Sequence, residues 1–299
     1  MTDWLAHLPS LIPLSHIPRM LDLTEDHPER LRYQDAAWLI ISALKALHIE
    51  PELKTAVRAA GIEPGMHVLD LGCGAALKAR FLLDCGVETV TGIDLDPDEL
   101  ALAHRLPNPY ADRLRLIEAD ALARLPFAKR SFDAVFIGDG FIDFYTDKMM
   151  DALRRVLRPD GLVILATTNI LPGTLYAWDR PLAARVEAAR WVAMMDSGYG
   201  ELVAATDATY ERRFLQRCAK YNLTITHYPV SRSNPVPPVF EQLVQHTFAA
   251  FDATILQPYL SPADWHTLRH IHDPQAPEYL FTRSDAAFLQ VLTVATGQL

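Results

Sequence analysis

Long uninterrupted hydrophobic runs and cysteine are both scarce in this sequence. No apolar run approaches the roughly 20 residues needed to cross a bilayer. The longest candidate, Ala36 to Leu47, is broken by Ser42 and Lys45. The N-terminus lacks a basic stretch followed by an apolar core and a small-residue cleavage site, so no secretory leader is read there. The three cysteines, Cys73, Cys85 and Cys218, are far apart and form no C-x-x-C pair. That argues against a disulfide framework and against a thiolate zinc site, and favours a reducing, cytoplasmic location. Positive charge is also in deficit: the formal net charge is −9. A surface built to neutralise phosphate backbones would have the opposite sign, so nucleic acid is not expected as a partner. Internal repeats and low-complexity tracts are missing too.

What is present suits a globular protein. Of the 299 residues, 50% are hydrophobic and 22% charged, enough for one large domain or two small ones. Three parts are expected. Residues 1–64 read as a helical cap, with Leu31, Ala36, Leu39, Ile40, Leu44 and Leu47 near helical spacing. Residues 65–170 alternate short apolar runs with helical patterns, the mark of a parallel sheet with crossover helices. Residues 171–299 should add two further strands and a substrate-covering lid. The strands read as 67–71, 88–94, 113–120, 131–139 and 162–168, then 222–230 and 286–295, with the last antiparallel. RPDG at 158–161 reads as a turn. The expected fold class is α/β, a doubly wound, mostly parallel seven-stranded sheet with a helical cap from both flanks.

The segment VLDLGCGAA at 68–76 carries the chemistry. A glycine turn between strand and helix lets a ligand approach the backbone and aims helix-start N–H groups at an anion. This geometry serves dinucleotides and S-adenosylmethionine alike, and two features separate them. The dinucleotide fingerprint wants a third glycine where Leu77 stands. Asp70, just ahead of the turn, would repel a pyrophosphate but suits the positive methionine end of S-adenosylmethionine. Asp94, at the end of the second strand, can accept ribose hydroxyls in either class.

VLDLGCGAA, VTGIDLDPDEL, IEADALARLPFAKRSFDAVFIGDGF and LRRVLRPDGLVIL resemble, in order and spacing, the successive motifs of class I S-adenosylmethionine-dependent methyltransferases. The likeness covers roughly residues 61–168, and the flanks are more loosely similar to the small-molecule branch of that superfamily. The resemblance implies S-adenosyl-L-methionine as cofactor and S-adenosyl-L-homocysteine as product. It implies that Asp70, Gly72 and Gly74, with Cys73 between them, hold the methionine end, and that Asp94 binds the ribose. Leu95 would pack on adenine, and Asp120, with Ala121 beside it, would accept from the adenine amino group. Gly138 and Asp139 would lie beside the transferable methyl. The family's third turn glycine is here Ala76.

Methyl transfer is an in-line displacement in which the protein mainly positions and desolvates the acceptor. A base is needed only when the acceptor must lose a proton, and the candidates are Asp139 and His227. Tyr33 and Gln34 could close over the methionine end or belong to a buried amphipathic helix. The aromatic load of the late region, with Phe141, Tyr176 and Trp178 as candidate substrate contacts, suits either a lid over an apolar small molecule or the core of a helical cap. His266, His270 and His272 lack an H-E-x-x-H pattern and read as a solvated helix end rather than a metal site. The expected function is methylation of a small, largely apolar metabolite, with an oligomer left open. Two alternatives stand beside it: a non-methylating enzyme on the same cofactor-binding fold, and a non-catalytic partner subunit. A dinucleotide dehydrogenase ranks last.

Overall fold

The protein is described by a computed structural model covering residues 14–23, 27–121, 124–139, 146–168, 179–196 and 208–299. The chain divides into two compact units, and each has its own core. One unit comprises Ile49–Pro172, Ala205–Val230 and Val291–Leu299; the other comprises Met1–His48, Gly173–Ala204 and Ser231–Gln290.

The first unit contains a seven-stranded sheet in the order β3-β2-β1-β4-β5-β7-β6. Strand β1 (His67–Leu71) lies inside it, pairing in parallel with β2 (Thr89–Asp94) and β4 (Phe132–Gly138). Val68, Leu69 and Leu71 are buried on both faces, which is why this segment reads as a continuous apolar run rather than an alternating one. Strand β3 (Leu114–Glu118) joins the outer side of β2, and β5 (Leu157–Thr167) joins β4, both in parallel. Strand β7 (Ala287–Gln298) runs antiparallel to β5, from Leu162↔Gln298 to Thr167↔Thr293. Strand β6 (Thr224–Ser233) forms the edge. The α/β fold expected from the sequence is the one observed, including the antiparallel last strand.

The crossover helices follow from local chemistry. Helices α1 (Ile17–Asp22), α2 (Pro28–His48) and α3 (Glu50–Ala59) precede the sheet, and α3 falls in the sheet unit. Helix α4 (Leu77–Asp84) follows β1. Helix α5 (Pro97–Arg105) starts where Asp96 accepts the N–H groups of Asp98 at 2.8 Å and Glu99 at 3.4 Å, with proline in its first turn. Thr146 caps α6 (Asp147–Val156), its Oγ1 accepting from Met149 at 3.2 Å. The apolar stripe of α6, Met149, Met150, Leu153 and Val156, is buried in the core of the sheet unit. Helix α8 (Ala208–Lys220) leads into β6.

The RPDG segment differs from expectation. Instead of a turn before a strand, residues 158–161 bulge within β5, since Leu157 pairs with Phe132 and Leu162 with Ala134. Asp160 takes a left-handed φ of 63° there.

The second unit holds α1, α2, α7 (Arg180–Asp196), α9 (Pro238–Thr247) and α10 (Pro262–Ile271). Its core is aromatic: Phe240 and Phe281 each pack on Phe288, at centroid distances of 5.0 and 5.4 Å. Phe248 stacks on His272 at 3.9 Å. Phe240, Phe248, Tyr279 and Phe281, part of the aromatic load of the late region, thus fill this unit's interior.

The β1–β2 contact is tight at one point. A Cβ at Gly92 would sit 2.8 Å from Cys73 Sγ and 3.0 Å from Leu116 Cδ2. Gly92→Ala is therefore expected to destabilise the protein by about 1–3 kcal/mol, the usual cost of overpacking a core, read as a lowered urea midpoint with an unchanged slope.

Candidate functional site

At the carboxyl end of β1 the chain turns through Gly72 at φ 68°, Gly74 at φ 52° and Ala76 at φ 55° before α4 begins. All three are left-handed, a region glycine enters freely and alanine only at a cost of roughly 1–2 kcal/mol. The missing third glycine is thus replaced by a residue that takes the glycine's conformation. Arg80 supports it from below. Its guanidinium is buried and donates to the carbonyls of Ala75 at 2.9 Å, Ala76 at 3.0 Å and Ala103 at 2.8 Å. Burial lowers its pKa to about 10, which still leaves it charged at neutral pH.

The backbone donors of this turn are already engaged. The N–H groups of Gly72 and Cys73 donate to the Ile93 carbonyl at 2.9 and 3.0 Å, and Ala76 donates to Cys73 at 2.8 Å. Gly74 donates to Asp94 Oδ2 at 2.7 Å. Carbonyls and a carboxylate of the chain itself thus hold the N–H groups of Gly72, Cys73, Gly74 and Ala76, while the helix-start N–H groups expected to face an anion belong to Leu77, Lys78 and Ala79, beyond the turn.

Acidic groups dominate what remains. Asp70 is buried at the end of β1, and its Oδ2 has no hydrogen-bond partner. Burial pushes its pKa up to about 7, against the pull of Lys78 and with a further push from Asp94. Glu99, in the first turn of α5, is raised to about 7, first by burial and then by Asp94 and Asp96. Its Oε2 is also without a partner. Asp94 accepts from Asp96 N–H at 2.9 Å as well as from Gly74.

The ends of β4 and β5 complete the crevice. Lys78, in the first turn of α4, reaches Asp139 Oδ2 at 2.6 Å, with both side chains 17% exposed. It passes over Gly138, where a Cβ would meet Lys78 Cδ at 2.7 Å. Asp139 is left-handed at φ 55°; its N–H donates to Ala166 at 2.8 Å and its Oδ1 accepts from Thr168 N–H at 3.1 Å. Thr168 Oγ1 is a third buried oxygen without a partner. Between β1 and β4 the strand order reverses, which is where open α/β sheets bind ligands.

Several sequence-predicted residues meet here: Asp70, Gly72, Gly74, Asp94, Gly138 and Asp139. Leu95 follows β2 and is 65% exposed. Asp120 follows β3 and is exposed. Cys73 does not present its thiol to the crevice; the side chain packs on Gly92, and burial pushes its pKa up. Ala121 is a core residue. Gly138 has a steric reason of its own, clearance for Lys78. His227 lies on edge strand β6 with Nδ1 3.0 Å from Thr293 Oγ1, and β5 and β7 separate it from β4. At about 4.8 Å per strand it is too far away to share a proton with the crevice. Phe141, Tyr176 and Trp178 lie outside the described residues, as do the side chains of Tyr33 and Gln34 on α2. In the second unit, His270 Nε2 sits 2.6 Å from Glu278, while His272 is buried against Phe248. Among the described residues no three potential ligands converge as a metal group would require. Sequence reasoning missed Lys78, Arg80, Glu99 and Thr168. Only Glu99 carried a signal, an acid five residues beyond Asp94 that would face back to the turn.

Residues 68–161 match a family described as a methyltransferase domain. Demethylmenaquinone methyltransferase of Thermus thermophilus is 41% identical over 101 residues, covering 33% of this chain and 45% of the relative. Sterol 24-C-methyltransferase ERG6B of Gibberella zeae is 31% identical over 105 residues, covering 34% and 27%. A Synechocystis 2-methyl-6-phytyl-1,4-hydroquinone methyltransferase is 32% identical over 126 residues, covering 40% and 39%. The matched stretches span less than half of each of these relatives. Among solved structures, one from Anaeromyxobacter dehalogenans, provisionally described as a type II methyltransferase, shares the fold. Its TM-score is 0.51 at 15% identity, over 82% of this chain and 95% of that one.

The buried acids have a measurable consequence. A carboxyl whose folded pKa lies above its unfolded value is stabilising below the unfolded pKa, and that contribution is lost as pH rises through the folded one. For Asp70 the window runs from the ordinary 3.8 up to about 7. Asp70→Asn, which stays neutral, should melt increasingly above the wild-type protein as pH rises from 5 to about 7.5. Parallel melting curves across that range would contradict the burial argument.

Proposed function

We propose, for a chain that carries a class I S-adenosylmethionine-dependent methyltransferase domain over residues 68–161, that it methylates a small, largely apolar metabolite. The observation that carries this reading is the charge of the crevice. Among the described residues, Asp70, Asp94, Glu99 and Asp139 gather around it with the ammonium of Lys78. The partnerless oxygens of Asp70, Glu99 and Thr168 call for a ligand that brings donors and positive charge. S-adenosylmethionine has both at its methionine end, whereas a pyrophosphate would meet like charge. The donor set therefore fits the cofactor that the family implies.

In this reading Asp70 and Glu99 take the ammonium. Asp94 keeps lone pairs for sugar hydroxyls beyond its two backbone bonds. Leu95 offers its exposed apolar surface to the adenine ring, and Asp120 accepts from the adenine amino group. Gly72 leaves room, since a Cβ there would touch nothing within 4 Å. When bound, the cofactor supplies a methyl group on a positively charged sulfur, already activated for displacement. The chain's share is to hold the acceptor in line and exclude water. Asp139 is the carboxylate placed to take a proton where the acceptor has one to lose.

The acceptor class is proposed from the relatives, whose names point to a sterol, a menaquinone precursor and a phytyl hydroquinone. Among the described residues no helix is long and apolar enough to cross a membrane. We propose a cytoplasmic enzyme, in keeping with its three separated cysteines, and no nucleic acid among its substrates, in keeping with its net charge of −9.

Calorimetry with S-adenosylhomocysteine tests the first half. Binding in the micromolar range is expected, and a flat titration would remove the reading. The second half is tested by incubation with methyl-labelled cofactor and isoprenoid quinols or sterols. Label should enter the organic phase; label confined to water-soluble polar products would move the acceptor class.

A further inference from the structure

The methionine end of S-adenosylmethionine carries a carboxylate as well as an ammonium. A glycine turn ordinarily answers a carboxylate with backbone N–H groups at the start of the following helix. Here the N–H groups of Gly72, Cys73, Gly74 and Ala76 already have acceptors within the chain, which leaves the start of α4, where Lys78 stands, to meet that carboxylate. The two cations near the turn differ in what they can offer. Arg80 is buried and committed to three backbone carbonyls. Lys78 is partly exposed, sits in the first turn of α4, and acts electrostatically on buried Asp70. Its partner is another carboxylate, Asp139, at 2.6 Å.

Resting on the methyltransferase reading, we propose that Lys78 receives the carboxylate of the cofactor's amino-acid end, exchanging Asp139 for it. Three features support the exchange. Lys78 lies at the amino end of α4, where the partial positive charge of the helix favours the same anion. Its side chain stays partly exposed rather than packed into the core. Asp139 keeps other support after the swap, through Thr168 N–H and its own backbone bond to Ala166. The exchange also does something for the reaction. In the resting protein the ammonium neutralises Asp139. Once the cofactor draws Lys78 away, the ammonium no longer covers the Asp139 carboxylate at the end of β4, where an acceptor proton would be taken. The ion pair thus keeps the carboxylate masked until the methyl donor is in place. Lys78 is a binding and positioning residue in this scheme, not the base.

The test compares two ligands by calorimetry at one pH. One is S-adenosylhomocysteine. The other is its decarboxylated form, which keeps adenosine, sulfur and ammonium and lacks only the carboxylate. Lys78→Met should weaken the first by about 10- to 100-fold, the range of a charge-assisted hydrogen bond, and shift the second by less than about twofold. Asp139→Asn removes the internal competitor, so it should tighten S-adenosylhomocysteine by about two- to fivefold and leave the decarboxylated ligand unchanged. Equal losses for both ligands in Lys78→Met, or no loss for either, would overturn the proposal while leaving the methyltransferase reading in place. If Lys78→Met does not fold, Asp139→Asn decides alone: tightening supports the exchange, and unchanged or weaker binding refutes it. Absence of binding by the unmutated protein is a separate outcome, and it sinks the functional reading together with this one.

Discussion

The architecture turns on a carboxylate taken fully out of water. Asp70 lies near the end of the buried strand β1, with an oxygen that no group among the described residues satisfies. Desolvating a charge costs several kcal/mol unless partners compensate it, and a second acid, Asp94, stands close enough to raise the cost. The surroundings are arranged around that difficulty. Lys78 leans in, Asp94 spends its oxygens on backbone N–H groups, and Glu99 shares the same upward shift in pKa. A crevice in this state is poised for a cation, because binding one relieves what folding left unbalanced.

Rigidity serves the same end. A turn with three left-handed residues in five would be free to collapse if nothing held it. Arg80 fastens its carbonyls from the buried side, and the Ile93 carbonyl and Asp94 fasten its N–H groups. The crevice is therefore shaped before a ligand arrives, and the energy of binding is not spent on ordering the loop.

Much of the fold was legible because buried parallel strands announce themselves as apolar runs between glycine and proline, as HVLDL does after Pro64-Gly65. In the structure Asp96 and Thr146 cap the helices that follow them. RPDG misled because its residue types signal a stop, whereas a strand can carry them in a bulge when its neighbours on both sides stay paired. The candidate site was half legible. Glycines and strand-terminal acids advertise themselves by spacing. Lys78 looked like any helical lysine, since its reach to Asp139 depends on where β4 ends in space. The aromatic residues between 240 and 288 could not be assigned to lid or core from composition, as either use demands the same side chains.

Strand β7 lies between β5 and β6, although both precede it in the chain. A nascent polypeptide emerging from the ribosome can pair β1 to β5 early, through short crossovers. The open flank of β5 then has to wait until everything from α7 to α10 has been made and β7 can slot in. Closing so distant a pairing is entropically expensive and slow. During that interval the apolar strand Leu162–Thr167 presents bare backbone donors and acceptors, making it the stretch where a chaperone has most to protect.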